Sequence, residues 1–294
     1  MWIVRNGYIE LQAPQRSEPW RLARKRITAS NVEGILGLST FKTRESVISE
    51  ILGGPEKSFS PEAIQRMDLG TKMEEPMRKF HMSFLPTATI VEPSLCLGLK
   101  WYDIPFRDGH LSDYYPSQLS DPLHPNWFLG GSPDGIITFP DGRFRNLELK
   151  YTQKGYKPLA DHCKDPKKSF RYTPYPTKAY ASELKELELG TETGVIDYFP
   201  HIWRSHFYQM QTCMFITRAP ECDYGVGSDN SYYRETVYYD EKLWVNYIYR
   251  ELVKIIEDEI KPRMTSEQTR LFSNQISEII SICPKDQELK VSCP

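Results

Sequence analysis

The chain has 294 residues, enough for one large domain with a sizeable core. Its 39% hydrophobic and 13% aromatic content excludes a disordered or low-complexity chain. A formal net charge of −2 excludes a uniformly basic nucleic-acid coat, so any contact with nucleic acid must concentrate positive charge locally.

No run of about 18 apolar residues occurs, which argues against a membrane span. Met1-Trp2-Ile3-Val4-Arg5 does not begin a signal peptide. Cys96, Cys163, Cys213, Cys222, Cys283 and Cys293 are scattered, with no CxxC pair. That pattern fits free thiols in a reducing compartment and argues against a zinc ribbon, an iron–sulfur cluster or a disulfide framework. The expected location is intracellular: the cytoplasm, or a host cell's cytoplasm or nucleus for a viral protein.

In chain order, a basic run comes first: Arg21, Arg24, Lys25 and Arg26. Ser30-Asn31-Val32-Glu33 fits a capping box and predicts a short helix to Leu36, stopped by Gly37. A second helix is expected from Arg44 to Leu52, ended by Gly53-Gly54-Pro55. A third is expected from Pro61 to Phe84. On that helix Ala63, Met67, Gly70, Glu74, Met77 and His81 share one stripe, while Asp68, Lys72, Glu75 and Lys79 fall on a polar face. Glu74 is therefore the inward member of the Glu74-Glu75 pair. Burying it unpaired would be expensive, so a metal or a catalytic network is expected beside it.

Strands are predicted over Ala88–Val91, Gly130–Phe139 and Phe144–Tyr151, the last two joined by a Pro140-Asp141-Gly142 turn. Arg107–Trp127 reads as an insertion. Tyr156–Pro200 reads as loops with a short helix near Ala179–Leu187. It carries a second basic run (Lys164, Lys167, Lys168, Arg171) and tyrosines between Tyr172 and Tyr180 that are candidates for base stacking. A helix from His201 to Thr217 follows, with Gln209 on a stripe with Ile202, His206, Cys213 and Ile216. Strands near Asp223–Val226 and Tyr233–Tyr239, a long helix from Glu241 to Ile260 and a helical tail complete the chain. Strands flanked by helices predict a mixed α/β core in a single domain, residues 1–294, with insertions near 107–127 and 156–200.

The chemistry centres on Ser132-Pro133-Asp134-Gly135 and Glu148-Leu149-Lys150. Alternate strand residues point to one side, so Glu148 and Lys150 project together, and a hairpin partner can bring Asp134 beside them. Two carboxylates suit Mg²⁺, with Mn²⁺ as a substitute, and the Leu149 carbonyl is a further candidate ligand. A bound metal would polarise a scissile phosphate and help to ionise water, while Lys150 would hold that water or offset developing charge. His81 and His206, though inward, are read as core histidines, because Mg²⁺ prefers oxygen.

Five motifs in order resemble the bacteriophage lambda exonuclease family of YqaJ-type viral recombinases, within the PD-(D/E)xK nuclease superfamily. They are Trp20-Arg21-Leu22-Ala23-Arg24 with Ile27-Thr28-Ala29-Ser30, Gly70 to Glu74, Ser132-Pro133-Asp134-Gly135, Leu147-Glu148-Leu149-Lys150, and Tyr208-Gln209-Met210-Gln211. The resemblance runs from Trp20 to about Arg218. It implies a restriction-endonuclease-like core and a 5′→3′ exonuclease on double-stranded DNA that leaves 3′ single-stranded overhangs. Recombination, repair or viral DNA processing would use those overhangs. It also implies metal ligands at Asp134, Glu148 and the Leu149 carbonyl, catalytic roles for Lys150, Glu74 and Gln209, and a 5′-phosphate pocket at Arg24 and Ser30. Duplex DNA ends, a single-strand annealing protein and a homo-oligomer are the implied partners, although the insertions leave the oligomeric state open.

A phosphate role for Ser30 and Arg24 has separate physical support, because a capped helix N-terminus and a guanidinium both favour an anion. Two other readings stay open: a structure-specific or RecB-like nuclease, which could also act on RNA, and a non-catalytic DNA-end-binding recombination factor. The four ionisable residues Glu74, Asp134, Glu148 and Lys150 count against the second.

Overall fold

The computed structural model describes residues 1–5, 8–39, 41–55, 58–98, 105–106, 109–110, 121–153, 202–229 and 231–282. The helix expected at Ala179–Leu187, the second basic run and the tyrosines from Tyr172 to Tyr180 lie outside them.

The elements follow in chain order: β1 (Trp2–Val4), β2 (Tyr8–Leu11), α1 (Glu18–Ala23), β3 (Ile27–Thr28), a 3-10 turn (Ala29–Asn31), α2 (Val32–Ile35), α3 (Arg44–Ile51) and α4 (Pro61–Ser83). Next are β4 (Thr89–Val91), β5 (Cys96–Gly98), the small hairpin β6 (Pro105–Phe106) and β7 (Gly109–His110), and a 3-10 turn (Pro125–Phe128). β8 (Leu129–Gly130), β9 (Gly135–Thr138), β10 (Phe144–Tyr151) and α5 (Arg204–Thr217) follow. The described chain then runs through β11 (Glu221–Gly227), β12 (Tyr232–Tyr238), α6 (Glu241–Leu243), α7 (Arg250–Ile255) and α8 (Ser266–Ile282).

The centre is a five-stranded mixed sheet in the order β12-β11-β10-β9-β4. β9 and β10 pair antiparallel, with Leu147 opposite Gly135, across a tight turn in which Gly142 adopts φ 84°. β10 and β11 pair parallel, Glu148 beside Tyr224 and Lys150 beside Val226, so the chain must cross over between them. Helices cover both faces, as a sheet with parallel central strands requires.

On one face, Leu147 and Leu149 pack with Ile137 and with Met77 of α4. On the other, Thr217 of α5 donates to Asn146 Oδ1 at 3.0 Å. A second, three-stranded antiparallel sheet, β1-β2-β5, joins the main core through the buried Ile9, Cys96 and Leu97. Among the described residues no helix is long and apolar enough to cross a membrane.

α4 is set by its start: Pro61 occupies the first turn and Ser60 accepts the Ala63 N–H at 3.3 Å. Its predicted stripe is buried only toward the C-terminal end, at Met77 and His81, whereas Met67 remains 46% exposed. The strand expected over Gly130–Phe139 is interrupted: β8 pairs with β3 and β9 with β10, leaving Ser132-Pro133-Asp134 in a gap between them. Part of the expected insertion, His124 to Trp127, is buried in the core. The expected tail holds α8, which buries Phe272, Ile276 and Ile279.

Candidate active site

The gap between β8 and β9 places Asp134 over β10. Its backbone N–H donates to Leu147 O at 3.0 Å, and its Oδ2 accepts the Leu149 N–H at 2.7 Å. Arg78 of α4 donates through Nε to the Asp134 carbonyl at 3.0 Å. The Leu149 N–H therefore faces an edge that β9 has vacated. Strand geometry turns the carbonyl of a residue to the same edge as its N–H, so the Leu149 carbonyl faces that gap as well.

Glu148 and Lys150 share one face of β10, and Lys150 Nζ donates to Glu148 Oε1. Glu148 is only 1% exposed, and its second oxygen, Oε2, has no hydrogen-bond partner among the described residues. Glu74 is half-buried on α4, while Glu75 is exposed and pairs with Arg78 at 2.6 Å and Lys79 at 3.3 Å. The inward assignment of Glu74 thus holds.

Electrostatics mark the cluster as over-charged. Burial, reinforced by the charge on Asp134, pushes the Glu74 carboxyl up to about 7. Burial also lifts Glu148 to about 8, with Lys150 pulling against it and Asp134 adding to it. Asp134 is raised by burial despite Lys150 and the Leu149 N–H. Burial alone would lower Lys150, but Glu148 and Asp134 outweigh it and hold the ammonium above its ordinary range.

Three carboxylates thus share the Lys150 ammonium and the nearby Arg78 guanidinium, and one buried oxygen lacks a partner among the described residues. A divalent cation fits that donor set. Among the described residues no three acidic, histidine or cysteine side chains are close enough for a closed cage. A cation held there would take part of its shell from water or from phosphate oxygens, as hard divalent cations do.

The N-terminal segment runs alongside. β3 pairs parallel with β8, Thr28 beside Gly130, so Ala29 and Ser30 follow on close to the gap that holds Asp134. A Cβ on Gly131 would press on Cys213 Sγ at 3.1 Å and Ile216 Cδ1 at 3.2 Å of α5, and would touch Ala29 Cβ at 3.5 Å, so the three segments meet closely at this glycine. Cys213 of α5 lies within electrostatic reach of Arg24 on one side and of Glu148 and Asp134 on the other.

Arg24 is half-buried at the end of α1, its guanidinium 4.4 Å over the Trp20 ring. Burial lowers its pKa, and among the described residues it makes no ion pair. A guanidinium desolvated but not neutralised is suited to an anion.

Two expectations need correction, and the placement of Gln209 follows them. Ser30 does not cap a helix: it is exposed within the 3-10 turn Ala29–Asn31, its Oγ 3.2 Å from Thr28 Oγ1. α2 begins only at Val32, and Glu33, the other half of the expected capping box, is drawn away to Arg204 at 2.9 Å. The basic run is not one surface either. Arg26 is 1% exposed and donates to Trp127 O at 2.8 Å, to Ala23 O and to Gln275. Gln209 is half-buried and makes no side-chain hydrogen bond among the described residues. The fully buried glutamine of that motif is Gln211, which donates to Tyr238 O and accepts the Asp240 N–H, each at 2.8 Å.

The two histidines part company. His81 is a core histidine, held on both ring nitrogens by Asp223 at 3.0 Å and Tyr232 at 2.7 Å. His206 lies on the Glu148 face of the sheet, where Lys150 acts on its charge. Its stripe marks it as inward but gives no signal of what it faces.

No protein-family model and no curated protein matches the chain. Among solved structures the fold is similar to LHK-Exo, an alkaline exonuclease from Laribacter hongkongensis. Identity is 16%, covering 91% of this chain and 100% of that one, with a TM-score of 0.44. LHK-Exo in complex with dAMP matches at 18% identity, 90% and 97% coverage and a TM-score of 0.42. Likenesses this loose assign no chemistry, which rests on the residues of this chain.

Proposed function

We propose that this chain is a metal-dependent exodeoxyribonuclease with a restriction-endonuclease-like core. It would degrade the 5′-phosphorylated strand of linear duplex DNA from its end and leave a 3′ single-stranded overhang for recombination, repair or viral DNA processing. The observation that carries this reading is the juxtaposition of Asp134, Glu148 and Lys150 at the strand gap, with Glu74 facing them and Glu148 Oε2 buried without a partner.

Asp134, the free oxygen of Glu148 and the Leu149 carbonyl would hold the cation. When bound, Mg²⁺ or Mn²⁺ would polarise the scissile phosphate and favour hydroxide over water. Lys150 Nζ offsets negative charge on the phosphate oxygens as water attacks. Glu74, with a carboxyl near 7, is poised to take up a proton from that water at neutral pH. Arg24, braced by Trp20, binds the terminal phosphate through parallel N–H bonds, and the exposed Ser30 hydroxyl adds a donor. An annealing protein would take up the overhang.

The test is digestion of linear duplex DNA labelled at either end, with and without 5′-phosphate, in Mg²⁺ and in EDTA. Mg²⁺-dependent loss from phosphorylated 5′ ends is expected, with kcat about 10²- to 10³-fold lower in Lys150→Ala, the scale of losing a main charge-stabilising group. Tight end binding without digestion under any metal condition would reassign the chain as a non-catalytic end-binding factor.

A further inference from the structure

The neighbour of Lys150 that the nuclease reading leaves unused is His206, in the first turn of α5. Its ring is held in place. Nδ1 lies 2.8 Å from the Tyr224 hydroxyl, the Tyr224 ring is tilted against it at 5.9 Å, and Trp203 stacks on it at 6.3 Å. Tyr224 sits directly beside Glu148 in the β10–β11 ladder, and partners in a parallel pair project to the same face. His206 therefore hangs over the face that carries Glu148 and Lys150. Burial, helped by the Lys150 charge, keeps its imidazole well below its ordinary pKa, hence neutral at physiological pH.

A neutral imidazole has one donor and one acceptor nitrogen, and the bond made by one fixes the role of the other. His81 shows the structural use of this residue in the same fold, with both nitrogens taken. In His206 only Nδ1 has a partner among the described residues; Nε2 has none.

We propose that His206 is a further catalytic residue: Nδ1 accepts the Tyr224 O–H, and Nε2–H donates an uncharged hydrogen bond to a non-bridging oxygen of the scissile phosphate beside Lys150. This rests on the nuclease reading. No proton is transferred; the donor strengthens its bond as charge builds on the phosphate oxygens. An uncharged donor also adds no repulsion to Lys150, which a second cation would.

Two measurements on the full chain test it. The first is ¹⁵N NMR of the metal-free protein, the His206 signals being those lost in His206→Gln. It should show Nε2 protonated and Nδ1 not. The opposite tautomer, or a doubly protonated ring at pH 7.5, would overturn the proposal whether or not the protein cuts DNA.

The second is Mg²⁺-dependent digestion by the variants. In His206→Phe kcat should fall about 10- to 100-fold with KM within twofold, below the 10²- to 10³-fold typical of a principal oxyanion donor. His206→Gln, whose amide also donates, should recover most of that loss, with a pH profile parallel to wild type. If His206→Phe does not fold, the Gln variant decides on its own: a shape change in its pH profile would mean proton transfer and sink the neutral-donor role. Wild-type kcat in His206→Phe would remove His206 from the chemistry while leaving the nuclease reading intact. An inactive wild type would remove both.

Discussion

Two buried polar clusters sit on opposite faces of the same two strands, and they are built to opposite rules. On the α4 face, Asp223 of β11 is closed off. Its Oδ1 takes Arg145 at 2.7 Å and Thr236 at 3.0 Å, and its Oδ2 takes His81 at 3.0 Å. Burial would raise that carboxyl, but the bonds from His81 and Arg145 win and hold it below its ordinary value. On the α5 face, Glu148 is buried to a similar depth; it and the half-buried Asp134 at the strand edge are both pushed up, and one Glu148 oxygen is left over. A closed network serves the fold; an open one leaves charge uncompensated, which the proposed cation and phosphate would offset.

The contrast can be broken most forcefully from the closed side. Asp223→Ala strips Arg145 and His81 of their shared partner and should cost about 3–5 kcal/mol in denaturant unfolding, the range for half-removed buried pairs. A loss below about 1 kcal/mol would mean the network is not closed.

The open side should respond in the reverse sense. Glu148 and Glu74 have folded pKa values above the 4.5 of an unperturbed glutamate, so between about 4.5 and 8 the folded state binds more protons than the unfolded. The stability of the metal-free protein should therefore fall as pH rises through that window, with Mg²⁺ restoring more of it at pH 8 than at pH 5. Thermal melts of wild type and Glu148→Gln check this: the variant should lose most of the pH dependence and melt no lower than wild type at pH 8 without metal. A metal-free melting temperature that climbs steadily from pH 5 to pH 8 would contradict the sign.

Arg24 extends the comparison to the DNA end. Arg24→Ala should slow digestion of 5′-phosphorylated ends by about 10- to 100-fold and of unphosphorylated ends by less than threefold, in keeping with a lost charge-assisted bidentate contact. Equal loss on both would favour a nuclease indifferent to the terminal phosphate. The smallest effect belongs to Ser30→Ala. Because Ser30 caps no helix, its loss should change stability by less than about 0.5 kcal/mol, against about 1 kcal/mol for a true N-cap.

Much of the open cluster was legible because it follows short-range rules. Strand alternation put Glu148 and Lys150 together, a Pro-Asp-Gly turn folded the hairpin back, and the helical period separated Glu74 from Glu75. What escaped depends on distant partners. Arg24 and Arg26 are alike in sequence, but only the backbone carbonyl of Trp127 and the side chain of Gln275 decide that Arg26 is structural. The capping box failed because Arg204, far along the chain, claims Glu33. β1, β2 and β5, of three or four residues each, are too short to show a period, and the gap before Asp134 lies inside what reads as a continuous strand.

The most direct measurement of the central claim is calorimetric titration of Mn²⁺ into the metal-free protein at pH 7 and pH 9, in buffers of different ionisation enthalpy. Uptake with release of close to one proton at pH 7, much less at pH 9, and no uptake by Glu148→Gln is the expected result, because a cation must displace the proton that burial keeps on Glu148. No uptake by wild type, or uptake unchanged in Glu148→Gln, would contradict a metal centre at the strand gap.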